Sequence, residues 1–435
     1  MKVCVLGLWH LGCVTAAGVS SRGHSVVGLD FDDEVVGELA RGRPPISEPG
    51  LAEAIAAGID AGSLRFSTDP AVAAEVDALW IAYDTPVDED DVADTEYVFT
   101  RFRHVLPSLR ADAVVMVSSQ LPVGSIRRLE EIVAREKPGS AFDFASIPEN
   151  LRLGGALKVF LEPDRLIVGV RTLAARARLE ALLGTITPRI EWMSVESAEM
   201  TKHAINSFLA TSVAFANEIA SICESVGADA KEVERGLKTE SRIGPKAYLS
   251  PGAAFAGGTL ARDIAYLTTI ASGVELKTPL LGSVKVSNDE HKGWARRVLL
   301  REVPDLEGAV IAVWGLTYKP GTDTLRRSGS VELCDWLLTQ GATVRVHDPV
   351  VKNLPPHWSG KVVRVASALE ALAGAAALVV GTEWPEYREL PADALASAAA
   401  TVPIIDANRF LSRIAVPAGL RIIAVGSPAA TGRTP

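Results

Sequence analysis

From Val195 to Val226 the chain contains neither proline nor glycine, and on both sides of that run it reads as alternating strands and helices. Before it come KVCVL, SVVGLD, DALWIAYD and AVVMVSS, followed in turn by helical patterns over 11–22, 33–40, 95–108 and 124–135. After it come AVIAVWG, a helix over 328–340, ATVRVHD, ALVVGT and VPIIDA. Regular strand–helix alternation requires crossover connections, so each block predicts a parallel sheet with helices on both faces. The run itself has apolar residues at helical spacing on more than one face, the pattern of a long, widely buried helix. The fold class is α/β: two Rossmann-like doubly wound domains joined by a long central helix and a helical segment. The expected boundaries are 1–194, 195–302 and 303–425, with 426–435 a flexible tail. The stretch 164–194 adds RLIVGV, a helix and an edge-like IEWMSV to the first domain.

Bulk properties narrow the function. A formal charge of −9 over 435 residues, with a pI near 5.4, argues against a general nucleic-acid binder, which needs a basic stripe. No run of apolar residues is long enough to span a bilayer. The N-terminus reads as a strand and a turn, not as a secretion signal. Cys4, Cys13, Cys223 and Cys334 are widely spaced without a C-x-x-C pair, so neither a disulfide framework nor a metal site is expected. A reducing cytoplasm is the natural expectation.

The first strand runs into Gly7-Leu8-Trp9-His10-Leu11-Gly12, where a dinucleotide-binding unit places G-x-G-x-x-G. Such a turn reverses the chain tightly, brings backbone to a pyrophosphate and packs helix on strand. Gly7 and Gly12 can serve the first and third purposes. Trp9 stands at the second, where an indole threatens the approach. Asp30 closes the second strand, where an acid binds ribose hydroxyls and disfavours a 2′-phosphate. Two readings are open here, an NAD site and a tight turn capped by a structural acid. His10 is open between phosphate contact and a plain cap.

Further stretches fall in a telling order: SEPGL (47–51), DTP (84–86), SSQLPVGS (118–125), PENLRLGGALKVFLEPDRLIVG (148–169) and AEMTKHAINSFLATSVAFANE (198–218). RIGPKAYLSPGAAFAGGTLARD (242–263), GLTYKPGTDTLRRS (315–328) and TEWPEY (382–387) complete it. With these, residues 1 to about 425 resemble the UDP-glucose/GDP-mannose dehydrogenase family. The resemblance implies NAD in the first domain, held by Gly7, Trp9, His10, Leu11, Gly12, Asp30 and Thr85, with Arg326 nearby. It implies a UDP-sugar gripped by the C-terminal domain and a homodimer formed through the central helix. Lys202, Asn206, Asp263 and Glu149 match the family's catalytic lysine, its partner, the aspartate and the glutamate. Arg242, Tyr248, Gly252, Gly257, Leu151 and Lys319 match substrate-binding positions. Lys202 and Asn206, at i and i+4, share one helix face.

Departures lie close to the chemistry. The family takes a C6 alcohol to a carboxylic acid with two NAD⁺, through a thioester on an active-site cysteine. Here that position is Thr259, and Arg262, Gln120 and Leu153 replace a lysine, a threonine and a glutamate. A hydroxyl ionises far less readily than a thiol, so acid formation loses its nucleophile. Oxidation of the alcohol to a carbonyl needs only a base, a hydride acceptor and positioning. The leading expectation is an NAD-dependent oxidoreductase on a UDP-sugar that stops short of the uronic acid. A redox-neutral epimerase with bound NAD and a nucleotide-sugar-binding pseudoenzyme are the alternatives.

Overall fold

The computed structural model describes residues 1–86, 88, 93–149, 151, 153–256, 258–411 and 420–428. By internal packing the chain divides into two compact units, Met1–Ile205 and Asn206–Pro435.

The first unit holds β1 (Lys2–Leu6), β2 (Ser25–Leu29), β3 (Leu64–Ser67), β4 (Ala78–Ile81), β5 (Val114–Val117), β6 (Asp143–Ser146), β7 (Leu166–Val170) and β8 (Ile190–Met193). Their order across the sheet is β3-β2-β1-β4-β5-β6-β7-β8. Side chains alternate across it: Val3 and Val5 enter the core on one face, Cys4 and Leu6 the core on the other. Burial on both faces is why these strands read as unbroken apolar runs. The expectation of a parallel sheet holds from β3 to β6, but β7 pairs antiparallel with β6. An antiparallel neighbour starts at the edge where its partner ends, so the chain between them, which carries Glu149, stays at the carboxyl edge of the sheet. IEWM lies at the far edge, as its pattern suggested.

The second unit holds β9 (Val310–Trp314), β10 (Thr343–His347), β11 (Val362–Arg364), β12 (Ala377–Val380), β13 (Ile404–Ile405) and β14 (Ile422–Ile423), ordered β11-β10-β9-β12-β13-β14. Helices Ala230–Thr239, Thr259–Gly273, Pro279–Lys292 and Trp294–Glu302 precede this sheet. Both sheets therefore reverse strand order beside their first strand, between β1 and β4 and between β9 and β12. Such reversals open crevices at the carboxyl ends, where ligands bind. The sequence reading lacked β3, β6, β11 and β14. Each is four residues or fewer, and LRFS and DFAS mix polar with apolar positions.

The long helix spans Val195–Val226. The packing boundary falls inside it, not ahead of it at 194, because its first turns belong to the first unit. Ala198 packs on Gly169, and Glu199 accepts hydrogen bonds from the Gly124 and Ile126 amides at 2.7 and 2.9 Å. At the other end, Gly426 is packed against Ala220 and Ala230 and donates to Glu224 Oε1 at 2.8 Å. Gly426, expected as the first residue of a tail, is thus packed, and residues 429–435 lie outside the described residues. No described helix is long and apolar enough to cross a membrane.

Candidate active site

In the first unit the chain leaves β1 through Gly7, whose φ of +97° belongs to the left-handed region that glycine tolerates. The first helix then spans His10–Ser21. A Cβ on Gly12 would lie 1.6 Å from the Gly7 carbonyl oxygen, so helix and turn touch backbone to backbone. Trp9 is the N-cap, with φ −95°, which any L-residue can adopt, and it is 49% exposed. The missing middle glycine therefore costs no backbone strain, and the indole stands outside the core. Asp30 accepts from the Leu8 and Phe31 amides, each at 2.7 Å. Leu11 is buried, and its amide donates to Asp84 Oδ2 at 3.2 Å. His10 Nε2 lies 3.0 Å from Glu48 Oε2, and Glu48 also accepts from the Gly154 and Ala156 amides at 2.8 Å. Thr85 is buried and donates to the Gln120 carbonyl at 2.8 Å.

Along the same carboxyl edge, Lys202 donates from Nζ to the Glu149 carbonyl oxygen, and the Glu149 carboxylate accepts from the Leu151 amide. Burial pushes the Glu149 carboxyl above the usual carboxylate range, while the Lys202 ammonium pulls it back. Ser118, Ser119, Gln120, Glu149, Glu199 and Lys202 surround a cavity of about 30 Å³. That is room for water, not for a sugar. Leu153 is partly buried on the loop that follows. The first unit thus groups Gly7, Trp9, His10, Leu11, Gly12, Asp30 and Thr85 at the turn, with Glu149, Leu151 and Lys202 along the sheet edge.

The remaining predicted residues belong to the second unit. Asp263 is fully buried on helix Thr259–Gly273, and Asn206 Nδ2 donates to its carboxylate. Thr259 is the first residue of that helix and is exposed. Gly258 ahead of it has φ +88°, and Gly257 lies outside the described residues. Arg242 is exposed and pairs with Glu240 at 2.9 Å, and Tyr248 is exposed. Gly252 is enclosed: a Cβ there would meet Asn408 Oδ1 at 2.2 Å. Arg326 is exposed on the connection between β9 and helix Gly329–Thr339, and Lys319 lies earlier on it. Lys319 lines a cavity of about 340 Å³ together with Phe255, Trp294, Tyr318, Arg327 and Asn408. Its size suits a nucleotide-sized ligand.

Three consecutive family segments cover this architecture. The NAD binding domain of the UDP-glucose/GDP-mannose dehydrogenase family matches residues 1–187, its central domain 196–290 and its UDP binding domain 312–413. The chain belongs to the UDP-glucose/GDP-mannose dehydrogenase family. It is 33% identical to the UDP-glucose 6-dehydrogenase of Rhizobium meliloti (strain 1021), covering 98% of this chain and 100% of the relative. The UDP-glucose dehydrogenase of Pyrobaculum islandicum superposes with a TM-score of 0.86 at 30% identity, over 98% of each chain. A UDP-D-ManNAc dehydrogenase from Pyrococcus horikoshii gives a TM-score of 0.85 at 25% identity, over 98% of this chain and 99% of that one.

Membership makes NAD the cofactor, and the first unit's residues fit it. The Gly7–Gly12 contact holds the turn tight against the helix, and Asp30, partly exposed, would offer a carboxylate to ribose hydroxyls. Family membership does not supply a thiol. All four cysteines are buried: burial pushes the Cys4 thiol up to about 12, and lifts those of Cys13 and Cys334 as well. Cys4, Cys13 and Cys334 are thereby held as thiols rather than thiolates at neutral pH.

Several residues that shape this dehydrogenase's second unit were not singled out from the sequence. The loop around Gly252 is pinned by polar side chains from distant segments. Asn217 Oδ1 accepts from the Gly252 amide at 3.0 Å, Asn408 Oδ1 from Ala253 at 2.7 Å and Asn288 Oδ1 from Phe255 at 2.9 Å. His291 Nε2 sits 2.8 Å from the Gly252 carbonyl. Asn217, Asn288 and His291 are buried polar residues on helices, where a sequence reading takes them for solvated faces. Among the described residues no cluster of His, Cys, Asp and Glu could hold a metal ion.

Proposed function

We propose that this chain oxidises a CH–OH group of a UDP-sugar, in the manner of the UDP-glucose 6-dehydrogenases it resembles, and releases the product at the carbonyl level. One observation carries the second half of the reading: an exposed threonine begins helix Thr259–Gly273, and every cysteine is buried. Bound NAD supplies the hydride acceptor. The proton of the reacting hydroxyl needs an acceptor, and Asp263, fully buried and held by Asn206, is the carboxylate we assign to it. Lys202 stands one turn before Asn206 on the same helix and offers an ammonium to the hydroxyl oxygen. Glu149 positions that ammonium through its carbonyl. Substrate contacts are assigned to Leu151, Arg242, Tyr248, Gly252 and Lys319, and the segments to 1–194 for the cofactor, 195–302 for association and 303–425 for the nucleotide.

Replacing the hydroxyl by a thiol tests the reading. Thr259→Cys is expected to raise the yield from one NADH per UDP-glucose to two, with a uronic acid as product. An unchanged wild-type yield of two would refute it. The homodimer belongs to the same proposal, supported by Phe208, Phe215 and Ile222, which are exposed at heptad spacing along the long helix. Phe215→Glu is expected to give a monomer by analytical ultracentrifugation. A cytoplasmic location accompanies the free, buried thiols.

A further inference from the structure

The amide of Leu11 is one of the first of the helix His10–Ser21, where backbone N–H groups have no partner within the helix and the helix dipole presents its positive end. A dinucleotide's pyrophosphate docks on such amides. Here the Leu11 amide already has a resident anion, Asp84 Oδ2 at 3.2 Å, projecting from the carboxyl end of β4. The strand reversal lies between β1 and β4, so Asp84 stands at the mouth of the cofactor crevice. Asp30 faces the same turn from the end of β2, through the Leu8 amide. Two carboxylates, Asp84 and Asp30, thus face the start of this helix. Trp9 offers no side-chain cap to compensate.

We infer that Asp84 sets the dinucleotide affinity of this chain by competing with the pyrophosphate for the Leu11 amide. Without cofactor, the carboxylate caps the helix. When cofactor binds, Asp84 must give up that amide and remain near two phosphate charges of its own sign. Asp30, by contrast, meets hydroxyls and can keep its position. The inference rests on NAD being the cofactor of the first unit.

The test is titration calorimetry of the full chain with NADH and, separately, with adenosine, which lacks the pyrophosphate. Wild type, Asp84→Asn and Asp84→Gly are compared at low salt. Asparagine keeps an acceptor oxygen for the helix cap, so that variant retains the folded start of the helix. Removing the like charge is expected to tighten NADH binding about tenfold in both variants, leave adenosine unchanged, and lose the gain in high salt. Equal NADH affinity in all three proteins would overturn the role of Asp84 while leaving NAD as the cofactor. An equal gain for adenosine would overturn it too, because the effect would not follow phosphate. Absence of NADH binding in every protein would remove the NAD reading and this inference together.

Discussion

The two sheets repeat one device and use it differently. In each, a strand ends in a glycine of positive φ, Gly7 or Gly315, and the acid closing the next strand, Asp30 or Asp348, accepts the amide of the following leucine at 2.7 Å. After Gly7 a helix starts at once, and Asp30 is partly exposed with two amide donors. After Gly315 the chain wanders to Gly329 before its helix, and Asp348 is 2% exposed. It accepts from the amides of Leu316, Thr317, Val350 and Val351 and from the Trp384 indole. One acid therefore keeps capacity for a ligand, while the other is consumed in holding its own loop. The same device thus opens a dinucleotide crevice in one case and frames a long loop in the other.

The largest effect should come from closing the turns. Gly12→Ala would drive a Cβ into the Gly7 carbonyl, and is expected to cost about 3 kcal/mol of stability and to abolish NADH binding. Gly315→Ala, which has φ +82° and would meet Thr382 at 2.4 Å, is expected to cost as much while sparing NADH. Thermal denaturation and NADH titration of the pair would break the comparison if both variants lost NADH equally. Next in size are the acids. Asp348→Asn is expected to cost about 2 kcal/mol in denaturant unfolding, because buried amides lose a charged acceptor. Asp30→Asn is expected to cost less than about 1 kcal/mol yet weaken NADH about tenfold. The reverse ranking would mean that the first acid is structural.

The smallest effect concerns pH. Burial raises the Glu149 carboxyl, so the native state holds its proton more tightly than the unfolded chain. Its contribution to stability is therefore greatest below the usual carboxylate range and falls as pH rises through that range toward the raised value. Glu149→Gln is expected to lack this decline, and melting curves across acid pH would show it. Parallel curves for the variant and wild type would contradict the assignment.

The sequence made the alternation legible because strands buried on both faces are short apolar runs and their helices carry an intermediate period. It also singled out Lys202, Asn206, Asp263 and Glu149, which sit in motifs whose order is specific and which the structure pairs as Lys202 with Glu149 and Asn206 with Asp263. Polar support was harder to see. Asn217, Asn288 and His291 look like solvated helix positions until the loop they pin is folded over them. His10 could not be placed because Glu48, its partner, lies 38 residues away in sequence. Trp9 looked like an obstruction, whereas its negative φ shows that the main chain needs no glycine there.

The most direct test of the central claim is mass spectrometry of UDP-glucose after incubation with the purified chain and excess NAD⁺, with a carbonyl trap present and NADH followed in the same sample. A trap adduct whose carbonyl component is two mass units below the sugar nucleotide, with one NADH per sugar, is the result this account predicts. A uronic acid with two NADH per sugar would contradict it, and would mean that the chain completes the oxidation without a thiol.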